Sequence, residues 1–232
     1  MAKKINTKLI KYYSLINHNL IYENESINRY KLNNNLSIKG PKGKNLRELK
    51  NEIGKILNCP LKKNSTNIVF SDGNPNSEIM IIGEGPGANE DADGMPFVGR
   101  AGELLDKMLS SIGLDRNNVY ITNVVNYRPP ENRSPTDVEI KRYLPYLIRH
   151  IEIICPKILI LLGSTALNTI IGNEKIISET RGSWIEKKIG ACNTSVIVSF
   201  HPAFLIRQPS QKAMSWADLK MIKKKIMQLR IK

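Results

Sequence analysis

Cysteine is scarce in this 232-residue chain. There are three, Cys59, Cys155 and Cys192. That is too few, and odd in number, for a disulfide framework, and it points to a reducing cytosol. Histidine is equally sparse, with His18, His150 and His201. No HExxH, paired CxxC or other metal-ligand spacing occurs, so no such metal site is expected. Long apolar runs are missing too. The longest, ILILL (Ile158 to Leu162), is far short of the roughly 20 residues of a membrane helix. The opening MAKKINTKLIKYYSLINHNLIY lacks the continuous apolar core of a secretory signal. These absences predict a cytoplasmic, non-membrane protein. Acids are in deficit: 21 against 35 Lys and Arg, a net charge of +14. Such a surplus suits a polyanion, nucleic acid first. It also fits drift of AT-rich codons into Lys and Asn at surface positions, and both readings stand. A membrane surface is disfavoured, because the basic residues do not line one face of a long amphipathic helix.

The length and a hydrophobic content of 41% suit one globular α/β domain with an added arm. Residues 1–45 read as a basic, Asn/Lys-rich N-terminal extension, with helical potential over Lys8 to Tyr22 and a linker at IKGPKGKN. The domain proper is expected over 46–232. LRELKNEIGKIL is a helix stopped by Pro60, NIVF a short strand, and SDGNPNS a turn. EIMIIGE, NVYITNVV and KILILLG read as strands, with an amphipathic helix over Gly99 to Gly113. Another helix follows the capping run Ser134-Pro135-Thr136-Asp137. STALNTIIG is a short helix. RGSWIEKKIGACNTSVIVSF is a hairpin ending in a buried strand, and a basic helix spans Lys212 to Arg230. Strand alternates with helix four times. The expected fold is α/β, a mainly parallel four-stranded sheet with helices on both faces. Sites in such sheets lie beyond the carboxyl ends of the strands. Three polar loops converge there: GEGPG, the stretch around Asn123, and HPAFLIR.

GEGPG is neither a Walker A loop, since no Gly-Lys-Ser/Thr follows, nor a good dinucleotide fingerprint, since Pro86 removes a backbone donor. By itself it is a turn; Glu84 adds a carboxylate able to polarise a water. Phe97 reads as an apolar residue stapling the next helix. Asn123 reads as a turn residue or as a carboxamide that recognises a base edge. His18 and His150 default to solvated surface. His201, between a buried strand and Pro202, suits a catalytic donor.

Taken together, CPLKKNSTNIVFSDGNP, IIGEGPGANED, GMPFVGRAGELLDKML, YITNVVNYRPPENRSPT, ILLGSTA, RGSW and SFHPAFLIR resemble the family 4 uracil-DNA glycosylases. The resemblance implies an α/β/α sandwich and hydrolysis of the N-glycosidic bond of uracil in DNA, the first step of base excision repair. It implies a uracil pocket of Gly83, Glu84, Gly85, Phe97, Asn123 and His201. Phe97 would stack on the flipped base, Asn123 would pair with its O4 and N3–H, and His201 would donate to O2. Glu84 and the Gly83–Gly85 backbone would position the water; other branches carry an aspartate where this chain has Gly85, so its activation would rest on Glu84 or on backbone carbonyls. Leu205 would fill the gap in the duplex, and Arg207 and Arg100 would touch phosphates. The implied partner is uracil-containing DNA, bound by a monomer.

One departure stands out. The family holds a [4Fe–4S] cluster on four cysteines, and the matching positions here are Ile56, Cys59, Tyr127 and Tyr143. One thiolate cannot hold a cubane, which needs about four ligands, so no cofactor is expected. The alternative from another class is a non-catalytic DNA- or uracil-binding protein left after cluster loss.

Overall fold

Along the central strands the side chains are buried, Asn193 near the start of the last one excepted, yet successive ones enter opposite layers. Met80, Ile82, Leu159, Leu161, Val196 and Val198 join one core, while Ile79, Ile81, Ile158, Ile160, Leu162 and Ile197 join the other. Two apolar faces demand two helical layers, and the chain supplies both. The computed structural model describes residues 41–172 and 175–231, within the unit Ser37–Lys232. The expected basic arm, its helix over Lys8 to Tyr22 and His18 lie outside the described residues.

The strands are β1 (Asp72–Gly73), β2 (Ile79–Gly83), β3 (Tyr120–Asn123), β4 (Ile158–Leu162), β5 (Trp184–Ile189) and β6 (Cys192–Ser199). The helices are α1 (Pro41–Gly54), α2 (Pro60–Lys63), α3 (Ala88–Asp93), α4 (Arg100–Ser110), α5 (Asp137–Ile154), α6 (Ser164–Ile170), α7 (Ile177–Thr180), α8 (Pro202–Arg207) and α9 (Lys212–Leu229). The sheet order is β1-β3-β2-β4-β6-β5. Its four central strands are parallel. The sheet therefore has six strands rather than the expected four, because β1 and β5 add antiparallel edges. Helices α1, α5 and α6 pack on one face and α4, α8 and α9 on the other.

Several local expectations are corrected. The supposed linker PKGKN is the first turn of α1, which buries Gly43 and Leu46. NIVF is not a strand. Its backbone is held instead by the side chains of Thr122, which donates to Phe70 O at 2.7 Å, and Asn126, which donates to Val69 O at 3.0 Å. The short pairing falls on Asp72–Gly73, inside the expected turn. His150 is buried, not solvated. It stacks on Phe70 at 4.6 Å between ring centroids and meets the Tyr120 hydroxyl at 2.8 Å. Burial holds it down at about pKa 3, so it is neutral. Cys155 and Cys192 are joined by a disulfide that ties the end of α5 to the start of β6. Among the described residues only Cys59 is a free thiol.

The RGSW segment has a structural part here. Arg181 forms an ion pair with the buried Asp218 of α9 and lies 5.2 Å from the Phe200 ring centroid. The Ser199 hydroxyl donates to the same carboxylate at 2.7 Å. These bonds fasten the end of β6, and hence the loop that follows it, to the last helix.

Candidate active site

Strand β2 pairs with β3 on one side and β4 on the other, so the chain winds in both directions from it. The carboxyl ends of strands at such a reversal open a crevice. Here it is a cleft of about 570 Å³ bordered by Glu84, Gly85, Phe97, Asn123, His201 and Arg207, within the size range of ligand sites. The three loops expected to converge do so. A fourth, Gly163-Ser164-Thr165 after β4, completes the wall.

Asn123 ends β3 with its side chain buried. Its amide opens on the cleft and makes no hydrogen bond to another described residue. Water in the cleft, or a ligand, can complete it. Gly83 lies beneath it. A Cβ there would stand 2.5 Å from both Asn123 Oδ1 and the Phe97 ring, so only glycine lets the two side chains close over the strand end.

Phe97 is buried and adopts a left-handed backbone, φ 56°. For a residue other than glycine that costs on the order of 1–3 kcal/mol. Three groups hold it there. Arg116 donates to Phe97 O at 2.5 Å and to Pro96 O at 3.2 Å, and is itself anchored on Asp72 and Asp106. Gly102 lets the Phe97 carbonyl come close; a Cβ would lie 1.7 Å from it. Glu90 accepts from Val98 N–H at 3.0 Å, Gly99 N–H at 2.9 Å and Gly87 N–H at 3.1 Å. One carboxylate thus ties the glycine-rich turn to the loop bearing the aromatic ring.

His201 caps α8. Its Nδ1 accepts from Ala203 N–H at 3.2 Å, so in the neutral ring the proton sits on Nε2. Burial, reinforced by the charge of Arg207, pushes its pKa down to about 4 against the opposing pull of Glu84 and Glu90. At neutral pH the group is therefore an uncharged Nε2–H donor. Its ring lies 5.5 Å from that of Phe97, at 28°. The Glu84 carboxylate is gripped by hydroxyls on both sides: Thr165 donates to one oxygen and Ser134, at 3.3 Å, to the other.

Of the expected site residues, Gly83, Glu84, Gly85, Phe97, Asn123 and His201 gather at this one place. Arg207 is on its rim and Arg100 is exposed at the start of α4. Leu205 does not fit its expected part. HPAFLIR coils into α8, and Pro202 and Leu205, three residues apart, both turn inward. Leu205 is fully in the core and is not presented outward as a wedge. Sequence reasoning missed Glu90, Arg116, Thr165 and Ser134. Glu90 carries a signal, an acid three residues after the N-cap Gly87. Arg116 carries none, since its partners are 10 and 44 residues away.

The four positions that the resemblance assigns to a cluster fall in or against one core. Cys59 and Tyr143 are buried, with Sγ 3.3 Å from the phenol oxygen. Tyr127 is buried beside them and Ile56 packs half-buried against the same core. Burial raises both phenols, and the Cys59 neighbour adds to it. Among the described residues no group of three or more His, Cys, Asp or Glu could hold a metal. One thiol, two phenols and a sec-butyl group do not fit a four-thiolate cluster.

The chain matches the uracil DNA glycosylase superfamily model over residues 70–222. It is 44% identical to a type-4 uracil-DNA glycosylase of Thermotoga maritima, covering 69% of this chain and 82% of that protein. It is 40% identical to the type-4 enzyme of Archaeoglobus fulgidus, covering 76% and 91%. The match to the type-4 enzyme of Sulfurisphaera tokodaii is also 40%, covering 77% and 83%.

Proposed function

The chain belongs to the uracil-DNA glycosylase superfamily, and from that premise we propose that it hydrolyses the N-glycosidic bond of uracil in DNA. The product is an abasic site, the entry to base excision repair. The observation that carries this reading is the meeting of an aromatic ring, an unpaired carboxamide and a neutral imidazole N–H on one cleft.

The uracil leaves the stack to reach the cleft. Phe97 supplies a flat apolar plate, which any base accepts. Asn123 supplies selectivity: its amide donates to O4 and accepts from N3–H, a pattern that cytosine reverses. The wrong base leaves buried polar groups unpaired, a penalty on the order of a few kcal/mol. As the C1′–N1 bond breaks, its electron pair leaves with uracil and negative charge gathers on O2. The Nε2–H of His201 donates to that oxygen, and its neutrality means no proton has to move at that moment. Water adds to C1′ and loses its proton, and the departing uracil anion gains one. Glu84, held by Thr165 and Ser134, is the carboxylate that orients this water. Arg207 and Arg100 meet the phosphates.

We further propose that the enzyme works without an iron–sulfur cluster, since the cluster positions are packed by side chains of the wrong chemistry. We propose that it acts as a monomer. Among the described residues no helix is long and apolar enough to cross a membrane.

The test is direct. Oligonucleotides bearing a single uracil, single- and double-stranded, are incubated with the protein and then treated with alkali. Cleavage by the wild type that vanishes in His201→Ala and Asn123→Ala supports the reading. Tight binding without cleavage favours a non-catalytic binder instead.

A further inference from the structure

The charge surplus that the sequence left unlocalised is partly gathered on α9. With about 100° per residue, Lys212, Trp216, Lys220, Lys223 and Met227 fall within an arc of roughly 80° on one flank of that helix. All five are exposed, Trp216 to 45%. The buried face, Ser215, Asp218, Leu219 and Ile222, lies to one side of this arc. No acidic residue falls within it. Lys212, Lys220 and Lys223 make no ion pair among the described residues. By contrast, Lys225 of the same helix is committed to Glu186 at 3.1 Å and to the Trp184 ring at 5.2 Å.

A large exposed indole flanked by lysines four residues before and after it has a specific fit. The lysines match a phosphate backbone, and the indole matches the face of an unpaired base. In a duplex the base faces are covered, so the match is to a single strand. In the chain, the stripe follows directly on the cleft rim. Arg207 is on the cleft rim, and the turn Pro209–Gln211 joins it to Lys212. Arg181 fastens this end of α9 by donating to Met214 O at 2.5 Å.

We propose that this flank of α9 is a binding track for single-stranded DNA, separate from the excision cleft and indifferent to uracil. Trp216 stacks on a base, and Lys212, Lys220 and Lys223 take consecutive phosphates.

The chain has two tryptophans, Trp184 and Trp216, which makes the contact visible. In full-length Trp184→Phe protein, indole fluorescence is followed during titration with a uracil-free thymidine homopolymer of roughly twenty nucleotides, longer than a typical single-strand site. The expected result is saturable quenching by the homopolymer and none by an abasic polymer of equal length or by inorganic polyphosphate. With the wild-type background, fluorescence anisotropy of a labelled homopolymer is expected to show Trp216→Ala binding on the order of ten-fold more weakly. Changing the three lysines to glutamine should lower the slope of log affinity against log salt by about 2. His201→Ala protein should quench in the same way as protein with an intact cleft, so failure of the cleft and failure of the track are separable. Equal quenching by polyphosphate, or unchanged binding by Trp216→Ala, would reduce the stripe to a charged patch and overturn the proposal.

Discussion

The excision cleft and the corner that in relatives holds the cluster lie on one chain and have been filled by different rules. Three polar side chains define the cleft. His201 Nδ1 is used by Ala203 and its Nε2–H is left to act; Glu84 is held at both oxygens; Asn123 is buried and unpaired. In the corner, packing dominates: Tyr143 and Tyr127 are buried, and the Cys59 thiol is a hydrogen-bond partner of Tyr143. The first region tolerates almost no substitution of kind. The second asks only that space be filled and polar atoms be satisfied. The segment between Tyr127 and Ser134 links them, since it enters the corner at one end and reaches Glu84 at the other.

The largest effect should come from the cleft. His201→Ala removes the donor to uracil O2 and is expected to lower kcat by about 10²–10³-fold. It also removes the α8 cap, about 1 kcal/mol, or roughly 2–4 °C in Tm. Steady-state rates and calorimetry read the two separately. An equal loss of fold and rate would erase the contrast. Next is Gly83→Ala. Its Cβ would drive into Asn123 and Phe97, so kcat/KM should fall by on the order of ten-fold or more while the far-UV spectrum is kept. A fully active Gly83→Ala enzyme would show that the two side chains need not close over the strand.

The corner should respond the other way round. Tyr143→Ala leaves a cavity and is expected to cost about 3–5 kcal/mol, roughly 10 °C in Tm, with kcat at low temperature within about three-fold of wild type. Tyr143→Phe keeps the volume, loses only the contact to Cys59, and should cost about 1 kcal/mol. If Tyr143→Phe abolished excision while leaving Tm intact, the corner would be chemical after all.

The smallest expected signal is in the pH profile. His201 titrates at about 4 in the fold, down from 6.5, chiefly through burial. The acid limb of kcat/KM should therefore lie near pH 4 rather than 6.5. The unfolded chain takes up the proton first, so this histidine's stabilisation is complete above pH 6.5 and is lost as pH falls toward 4. His150, at about 3, adds the same sign. Glu139 is held at about 2, first by its hydrogen bond from Arg133. Its contribution is present above its usual carboxylate range and fades as pH falls toward 2. An acid limb at 6.5 would mean that the imidazole is not desolvated.

What was legible follows from how local the information is. Gly83, Glu84, Asn123 and His201 sit where an apolar run stops, so the strand pattern itself delivers them to one edge. The two alternating cores were implied by ILILL and its neighbours for the same reason. His150 was misread although its spacing from Tyr143, Leu147 and Ile154 places it on the buried stripe of α5; the polar residue type outweighed the period. Leu205 was misread because a loop was assumed where Pro202 starts a helix. The Cys155–Cys192 bridge and the grip of Arg116 on Phe97 depend on contacts across 37 and 19 residues. No local pattern encodes them.

The central claim is that the cleft performs excision in a chain whose cluster site has become ordinary core. The most direct test measures uracil release under single-turnover conditions and iron content in the same anaerobically prepared sample. The account predicts full release from protein containing no stoichiometric iron, unchanged by a strong chelator. Release that rises and falls with bound iron would contradict it.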